Sequence, residues 1–158
     1  MAEGSMITHA LRKLIGWSTD PVIFKVEEGA IQRYADAIGD PNPLFNNIGY
    51  AKKSKHGRLV CPPGFFGWPT NSKTYDPLKL SSSLIVAGAP LRVLDGGIEY
   101  EFLEPIGTGD ILTFTAKIVD IVERESKSGK MLITTVETNL INQDSNVAVK
   151  SRMTLINR

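Results

Sequence analysis

The chain has 158 residues, of which 42% are hydrophobic, with 18 Lys and Arg against 17 Asp and Glu. A chain of this length fits one domain with a continuous core, so residues 1–158 are predicted to form a single domain. The net charge of +1 argues against a surface dedicated to nucleic acid, which needs clustered basic residues. The single cysteine, Cys61, excludes an internal disulfide and a cysteine metal cluster.

The sequence carries no sign of membrane insertion or secretion. No apolar run approaches the roughly 20 residues needed to span a bilayer, and the N-terminus lacks the pattern of a secretion signal. These features predict a cytoplasmic protein. The opening residues 1–6, with a second methionine at Met6, leave open an expression scar at this end.

In chain order, the first predicted element is an amphipathic helix over residues 7–16, followed by a strand over 21–26. The clearest helix begins at Glu27 and Glu28, where negative charge complements the helix dipole. Apolar residues at positions 31, 34, 35 and 38 give it one buried face, and Gly39 ends it.

The segment after this helix is rigid because of two prolines. Pro41 and Pro43 fix their own φ angles and keep the preceding residues out of the helical region. Asp40 and Asn42 are therefore predicted to be held in a defined, extended geometry. A plain turn role for both residues is left open, because Asp and Asn are common in turns.

The remainder divides into an irregular part and a strand-rich part. Residues 51–83 show little periodicity and are rich in Pro, Gly and aromatics, which is typical of a functional or lid-forming segment. Period-2 alternation then predicts strands over 98–102, 112–118, 132–140 and 147–155, with turns at 128–129 and 144–146. One long helix followed by four antiparallel strands predicts an α+β domain with the helix laid on a curved sheet.

Three blocks of the sequence resemble the MaoC-like hydratases and dehydratases, a family with the hot-dog fold. They are Gly39-Asp40-Pro41-Asn42-Pro43-Leu44 after the helix, the segment 57–65 with Pro62-Pro63-Gly64, and Gly96-Gly97-Ile98-Glu99-Tyr100-Glu101-Phe102 followed by Gly109-Asp110. Their occurrence in the family's order makes chance similarity a poor explanation. Asp110 itself is interpreted as a turn residue. The resemblance implies a single hot-dog domain with a central helix wrapped by an antiparallel sheet.

In the catalytic members of that family, an aspartate and a histidine five residues later polarise the water that adds to an enoyl thioester. The resemblance places Asp40 in the aspartate position, with Asn42 orienting the pair, but Phe45 stands where the histidine is expected. It also implies that the Gly64 N–H donates to the thioester oxygen. Because a phenyl ring cannot transfer a proton, this chain is expected to be a poor catalyst alone.

Further binding residues are predicted near this motif. Phe45, Phe65, Phe66 and Trp68 are candidates for the wall of an acyl pocket, although a plain core role is equally compatible with aromatic residues and is favoured. Lys55, His56 and Arg58 are candidates for the phosphates of coenzyme A or of a pantetheine arm, with an exposed loop as the alternative for His56. Two isolated histidines make no metal site, and no cofactor beyond the thioester substrate is expected.

Three functions are compatible with these residues. The first is a subunit of an (R)-specific enoyl- or 3-hydroxyacyl-thioester hydratase, shaping the substrate pocket beside a catalytic hot-dog partner. The second is a homodimeric acyl-CoA thioesterase that uses Asp40, and the third is a non-enzymatic acyl-CoA-binding module. An open sheet edge predicts pairing with a second hot-dog subunit, in a homodimer, a heterodimer or a tetramer.

Overall fold

The computed structural model describes residues 4–67, 76, 78–127 and 129–158. The helices are α1 (His9–Leu14), α2 (Glu28–Ile38), α3 (Pro43–Asn46), α4 (Ile48–Lys53) and α5 (Lys79–Val86). The strands are β1 (Val22–Lys25), β2 (Val93–Phe102), β3 (Ile111–Ser126), β4 (Gly129–Ile141) and β5 (Val147–Asn157). The predicted elements are thus present, and the predicted turn residue Ser128 lies outside the described residues.

The strands form one antiparallel sheet in the order β1-β3-β4-β5-β2. Strands β3, β4 and β5 are joined by hairpins, so neighbours in sequence are neighbours in the sheet. Strand β1 is added beside β3, and β2 crosses to the far side beside β5. The α+β class predicted from the sequence is confirmed, with β1 as a fifth strand of the same sheet.

Two apolar clusters hold the helices on the sheet. In the larger one, Ile31 and Ala35 of α2 are fully buried among sheet residues such as Leu112, Leu140 and Val149. The second cluster lies against another part of the sheet, where α1 and α5 pack on β3, β4 and β5. Its fully buried members include Leu11, Leu84, Ile118 and Val136.

Helix α2 ends as its sequence predicts. Gly39 has a φ of +66°, in the left-handed region that glycine adopts without strain, and its N–H donates to the last carbonyls of the helix. Helix α3 begins directly afterwards, with Asn42 as its N-cap and Pro43 at its first position. The motif containing Asp40 is therefore the short connection between two helices.

Strands β2 and β3 are longer than the alternation in the sequence predicts. Strand β2 begins at Val93 and β3 continues to Ser126. Bulges between Asp95 and Gly97 and between Ile118 and Asp120 interrupt the period-2 pattern, and one extra residue reverses which positions face the core. The prediction of an irregular segment over 51–83 is wrong at its two ends, where α4 and α5 are helical.

Candidate functional site

Asp40 lies in a turn whose hydrogen bonds are defined. Its N–H donates to the Ala35 carbonyl at 3.0 Å, and its Oδ1 accepts the Asn42 N–H at 2.9 Å. The residue is half-buried, and no partner of Oδ2 is found among the residues that the structure describes. Asp40 therefore uses one carboxylate oxygen to shape the loop and keeps the other available.

Asn42 and Phe45 have structural positions in the same loop. Asn42 Oδ1 accepts the Leu44 N–H at 3.0 Å and so caps α3. Phe45 is 7% exposed and belongs to the larger core cluster. The residue at the expected histidine position thus faces inward as an apolar anchor. The catalytic roles predicted for Asp40 and Asn42 remain predictions. Their structural role is defined by the hydrogen bonds that both side chains accept within the loop.

The Asp40 loop is joined to the segment that contains Gly64. The Val60 N–H donates to the Leu44 carbonyl at 3.1 Å. On the other side, the Tyr34 ring of α2 stacks on Phe65, with ring centroids 4.6 Å apart and an interplanar angle of 18°. These two contacts bring together two of the three blocks that carry the family resemblance.

Gly64 occupies a tight turn beside Tyr34. The Phe65 N–H donates to the Pro62 carbonyl at 3.0 Å, and Gly64 has a φ of +87°. Proline in the second position and a left-handed glycine in the third define a type II turn. Within the described part of the chain the Gly64 N–H has no acceptor, so it is available to a ligand, as the predicted oxyanion role requires.

Aromatic rings link this turn to the edge strand β2. Phe66 contacts Tyr100 with centroids 5.8 Å apart, and Tyr100 contacts Phe102 at 6.0 Å. Burial, and to a lesser degree the neighbouring Tyr34 and then Asp95, raises the pKa of Tyr100. The two tyrosines thus influence each other electrostatically across this set of aromatic rings.

Phe65 and Phe66 belong to the core, and one of them also lines a groove. They are 4% and 5% exposed. A groove of about 350 Å³ lies between Phe65, Cys61 and the exposed Phe102 and Leu103. Phe65 is therefore both a core residue and a residue of the groove wall. Trp68, the remaining predicted pocket residue, lies outside the described residues.

The basic segment predicted to bind phosphate divides into two parts. Arg58 makes two hydrogen bonds to Asp110, from Nη1 to Oδ1 at 2.6 Å and from Nη2 to Oδ2 at 2.8 Å. Because this pairing occupies the guanidinium, Arg58 has a structural role. Lys55 is exposed and His56 half-buried, and the phosphate role remains a prediction for Lys55, His56 and Arg58.

Cys61 lies beside the same ion pair. Burial first, and the charge of Asp110 second, raise the pKa of its thiol to about 12, while Arg58 acts in the opposite direction. A thiol with such a pKa is un-ionised at neutral pH and is a poor nucleophile. Cys61 is therefore a wall residue of the groove.

Tyr34 and Tyr100 were not singled out by sequence reasoning. Each is half-buried and fits the apolar pattern by which its helix or strand was predicted, so that pattern accounted for both. The available signal was a hydroxyl group at a core position, since buried Tyr O–H groups require a partner.

Among the residues described, no group of three His, Cys, Asp or Glu could hold a metal, and no helix is long and apolar enough to cross a membrane.

Comparison with known proteins assigns the chain to a family. A family model described as "FAS1-like, dehydratase domain region" matches residues 13–151. The chain belongs to this family. The chain's structural neighbours include a MaoC-like dehydratase, so the resemblance seen in the three sequence blocks is confirmed.

Relatives of this dehydratase-domain protein agree in sequence and fold. A UPF0336 protein from Parafrankia sp. (strain EAN1pec) is 34% identical over 128 residues, covering 75% of this chain and 76% of that protein. The MaoC-like dehydratase from Rhodospirillum rubrum is 26% identical, with a TM-score of 0.62 over 93% of this chain and 94% of the other. These likenesses confirm the hot-dog fold.

A two-protein complex shares the same fold. The C-terminally truncated HadBC (3R-hydroxyacyl-ACP dehydratase) complex from Mycobacterium tuberculosis contains a chain with a TM-score of 0.67 to this one. The alignment covers 90% of this chain and 96% of that chain, at 18% identity. At this identity the likeness concerns the fold alone.

Proposed function

We propose that this protein is one subunit of an (R)-specific enoyl- or 3-hydroxyacyl-thioester hydratase, working beside a second hot-dog subunit that supplies the acid–base histidine. The observation that carries the proposal is the contrast between positions 40 and 45. Asp40 keeps a free carboxylate oxygen, whereas Phe45 is 7% exposed within the core. The chain thus retains the shape of the site but lacks one of its two proton-transfer groups.

The remaining parts of the site fit a thioester. The Gly64 N–H is free for the carbonyl oxygen, where a fixed dipole stabilises the enolate-like charge of the transition state. The groove of about 350 Å³ beside Phe65 and Cys61 offers an apolar wall to an acyl chain. No cofactor is needed, because hydration of an enoyl thioester is acid–base chemistry.

The family and the neighbouring structures support this proposal. The family model is that of a dehydratase region, and one structural neighbour is a 3R-hydroxyacyl-ACP dehydratase complex. Strand β2 is an edge of the sheet within the described residues and is available for a second subunit, since such edges are normally covered by another strand. A pair of hot-dog subunits would then share one extended sheet.

The test is a hydration assay on the chain alone and after co-expression with candidate hot-dog subunits that carry an intact Asp/His motif. Loss of trans-2-enoyl-CoA absorbance is followed, with the stereochemistry of the product determined by chiral chromatography. Activity that appears only in the co-purified complex supports the proposal. A chain that hydrates enoyl-CoA alone at full rate contradicts the assignment as the incomplete half.

Two variants of Asp40 separate chemistry from folding. Asp40→Asn retains an oxygen to accept the Asn42 N–H, so the loop is expected to remain stable. Asp40→Ala loses that hydrogen bond, at a cost of about 1 kcal/mol. If Asp40→Asn lowers the activity of the complex by about 10²-fold or more while the melting temperature is unchanged, the carboxylate takes part in the reaction.

The same experiment distinguishes the alternatives. Hydrolysis of acyl-CoA by the isolated chain, lost in Asp40→Asn, would replace the proposal with a thioesterase. Stabilisation by acyl-CoA without turnover in any complex would indicate a binding module, because a ligand of the native state raises its stability by mass action.

A further inference from the structure

Strand β2 forms an edge of the sheet and is acidic along its length. It pairs with β5 on one side, and no other strand of the described structure lies on its other side. Its ten residues include Asp95, Glu99 and Glu101 but no Lys, Arg or His. Its backbone N–H and C=O groups on the open side are thus available to another strand.

The outer face of the sheet carries a row of alternating charges that ends at this edge. Lys117 of β3 lies opposite Glu137 of β4, and Glu137 lies opposite Arg152 of β5. Arg152 in turn lies opposite Glu99 of β2. The signs across the four strands are plus, minus, plus and minus, and each pair of directly opposite residues is attractive.

The contacts within this row are close. Arg152 Nη2 lies 2.6 Å from Glu137 Oε1. The hydrogen bond and charge of Glu137 raise the pKa of Arg152, and the charge of Glu99 adds to this effect. Arg152 thus interacts with an acid on each neighbouring strand, while Glu99 has a basic neighbour only on the β5 side.

The next row repeats the arrangement at the edge. Lys150 of β5 lies opposite Glu101 of β2. A shallow groove of about 510 Å³ lies over the two rows and is lined by Glu99, Glu101, Lys150 and Arg152 among others. Two acids therefore lie together on the edge strand, on one face of the sheet and next to two bases of β5.

A second copy of this chain is a poor match for such an edge. In an antiparallel pair, directly opposite residues lie on the same face of the sheet. Because β2 contains no basic residue, no register of β2 against itself can place a base opposite Glu99 or Glu101. Registers centred near these residues place glutamate against glutamate, and like charges directly opposite each other are destabilising.

We infer that the β2 edge selects a different subunit, whose own edge strand presents Lys or Arg opposite Glu99 and Glu101 and so continues the alternating row. The inference rests on the proposed function only in taking the partner to be a second hot-dog chain. Charge complementarity favours this hetero-pair, and the acidic pair at the edge disfavours the homodimer. This is specificity through repulsion as well as attraction.

The test uses a basic-edge chain, Glu99→Lys/Glu101→Lys, as the probe for the partner strand. Wild-type and basic-edge chains with tags of different mass are mixed, and native mass spectrometry measures the mixed and the like dimers. We expect the mixed dimer to exceed the statistical proportion by about tenfold at low salt, with the preference declining at high salt because exposed charges are screened. The control, Glu125→Lys/Asp144→Lys, makes the same change in charge at exposed positions outside β2 and should mix statistically.

A neutral-edge chain, Glu99→Gln/Glu101→Gln, covers the case in which the basic-edge chain does not fold. Removing the two charges should strengthen self-association relative to the wild type several-fold, as measured by sedimentation equilibrium. A tight wild-type homodimer that mixes statistically, or a neutral-edge chain that associates no better than the wild type, overturns the inference. Neither measurement uses a substrate, so an inactive co-complex would contradict the proposed function and leave this result standing.

Discussion

Arg58 and Asp110 form a two-pronged ion pair that fixes one end of the candidate site. The two N–O distances are 2.6 and 2.8 Å, and Asp110 Oδ2 also accepts the Gly107 N–H at 2.9 Å. Asp110 is 4% exposed. The pair connects the segment that leads to Cys61 and Gly64 with the start of β3, so the position of the Gly64 turn depends on it.

Replacing Asp110 should therefore destabilise the fold. In Asp110→Ala, Arg58 and the Gly107 N–H lose their acceptor, and we expect the free energy of unfolding to fall by about 2–3 kcal/mol. The loss is smaller than for a fully buried pair because the Arg58 side chain is 38% exposed. Urea denaturation measures it.

The matched control for this variant is the surface pair of Arg152 and Glu137, whose side chains are 61% and 43% exposed. Glu137→Gln should cost less than about 1 kcal/mol, as surface pairs usually do. Equal losses in the two variants would show that the Arg58–Asp110 pair has no special structural role.

Gly107 is required by close packing rather than by its backbone conformation. A Cβ at this position would lie 2.5 Å from the Leu59 carbonyl oxygen and 2.9 Å from Arg58 Nε. Gly107→Ala must push two paired segments apart, and we expect a loss of about 3 kcal/mol. In helix α4, Gly49→Ala meets only an ordinary contact at 3.5 Å and should stabilise the protein by about 0.5–1 kcal/mol. Thermal unfolding of both variants gives the comparison, and a stable Gly107→Ala would contradict this packing.

Cys61 should react slowly in the folded protein. With a pKa of about 12, about one thiol in 10⁴ is ionised at pH 8, against about one in ten for a cysteine with the ordinary pKa of 9.0. The rate of reaction with an aromatic disulfide reagent should therefore be about a thousandfold lower in the native protein than in urea. Because this is the single cysteine of the chain, the signal is unambiguous, and a native rate within tenfold of the unfolded one would refute the prediction.

The same thiol gives a pH dependence of stability. Its pKa is raised in the folded state, so the unfolded chain loses the proton first as the pH increases. The contribution of Cys61 is fully present below about pH 9 and is lost as the pH rises toward 12. Cys61→Ala should lack this part of the alkaline decrease in the free energy of unfolding. Denaturation of the wild type and the variant at a series of pH values should therefore give two free-energy curves that converge as the pH rises.

The helix and strand pattern was accessible from the sequence because it depends on local spacing. Helix α2 has one apolar face and a glycine at its end, and each is visible within a few residues. The early part of β2 and the late part of β3 were missed because bulges reverse the alternation at Gly97 and Asp120. A bulge is stabilised by pairing with a distant strand, which local periodicity does not reveal.

The site was predictable in part for a similar reason. Asp40 and Gly64 were found through motifs that are contiguous in sequence. The pairing of Arg58 with Asp110 joins positions 52 residues apart, so by themselves Arg58 was interpreted as a candidate for phosphate binding and Asp110 as a turn residue. The stacking of Tyr34 on Phe65 was hidden in the same way, since the two residues are 31 positions apart and Tyr34 satisfied the apolar pattern of its helix.

Phe45→His tests whether the missing proton-transfer group can be restored at its own position. The Phe45 ring is 7% exposed among core residues, so an imidazole placed there leaves ring nitrogens without partners and should cost about 1–3 kcal/mol. Phe45→Leu, an apolar change, should cost less than that. We therefore expect the histidine variant to melt earlier than the leucine variant and to show no enoyl-CoA hydration alone. A stable Phe45→His chain with new hydratase activity would show instead that this position opens toward Asp40, and that the chain needs no partner to supply the histidine.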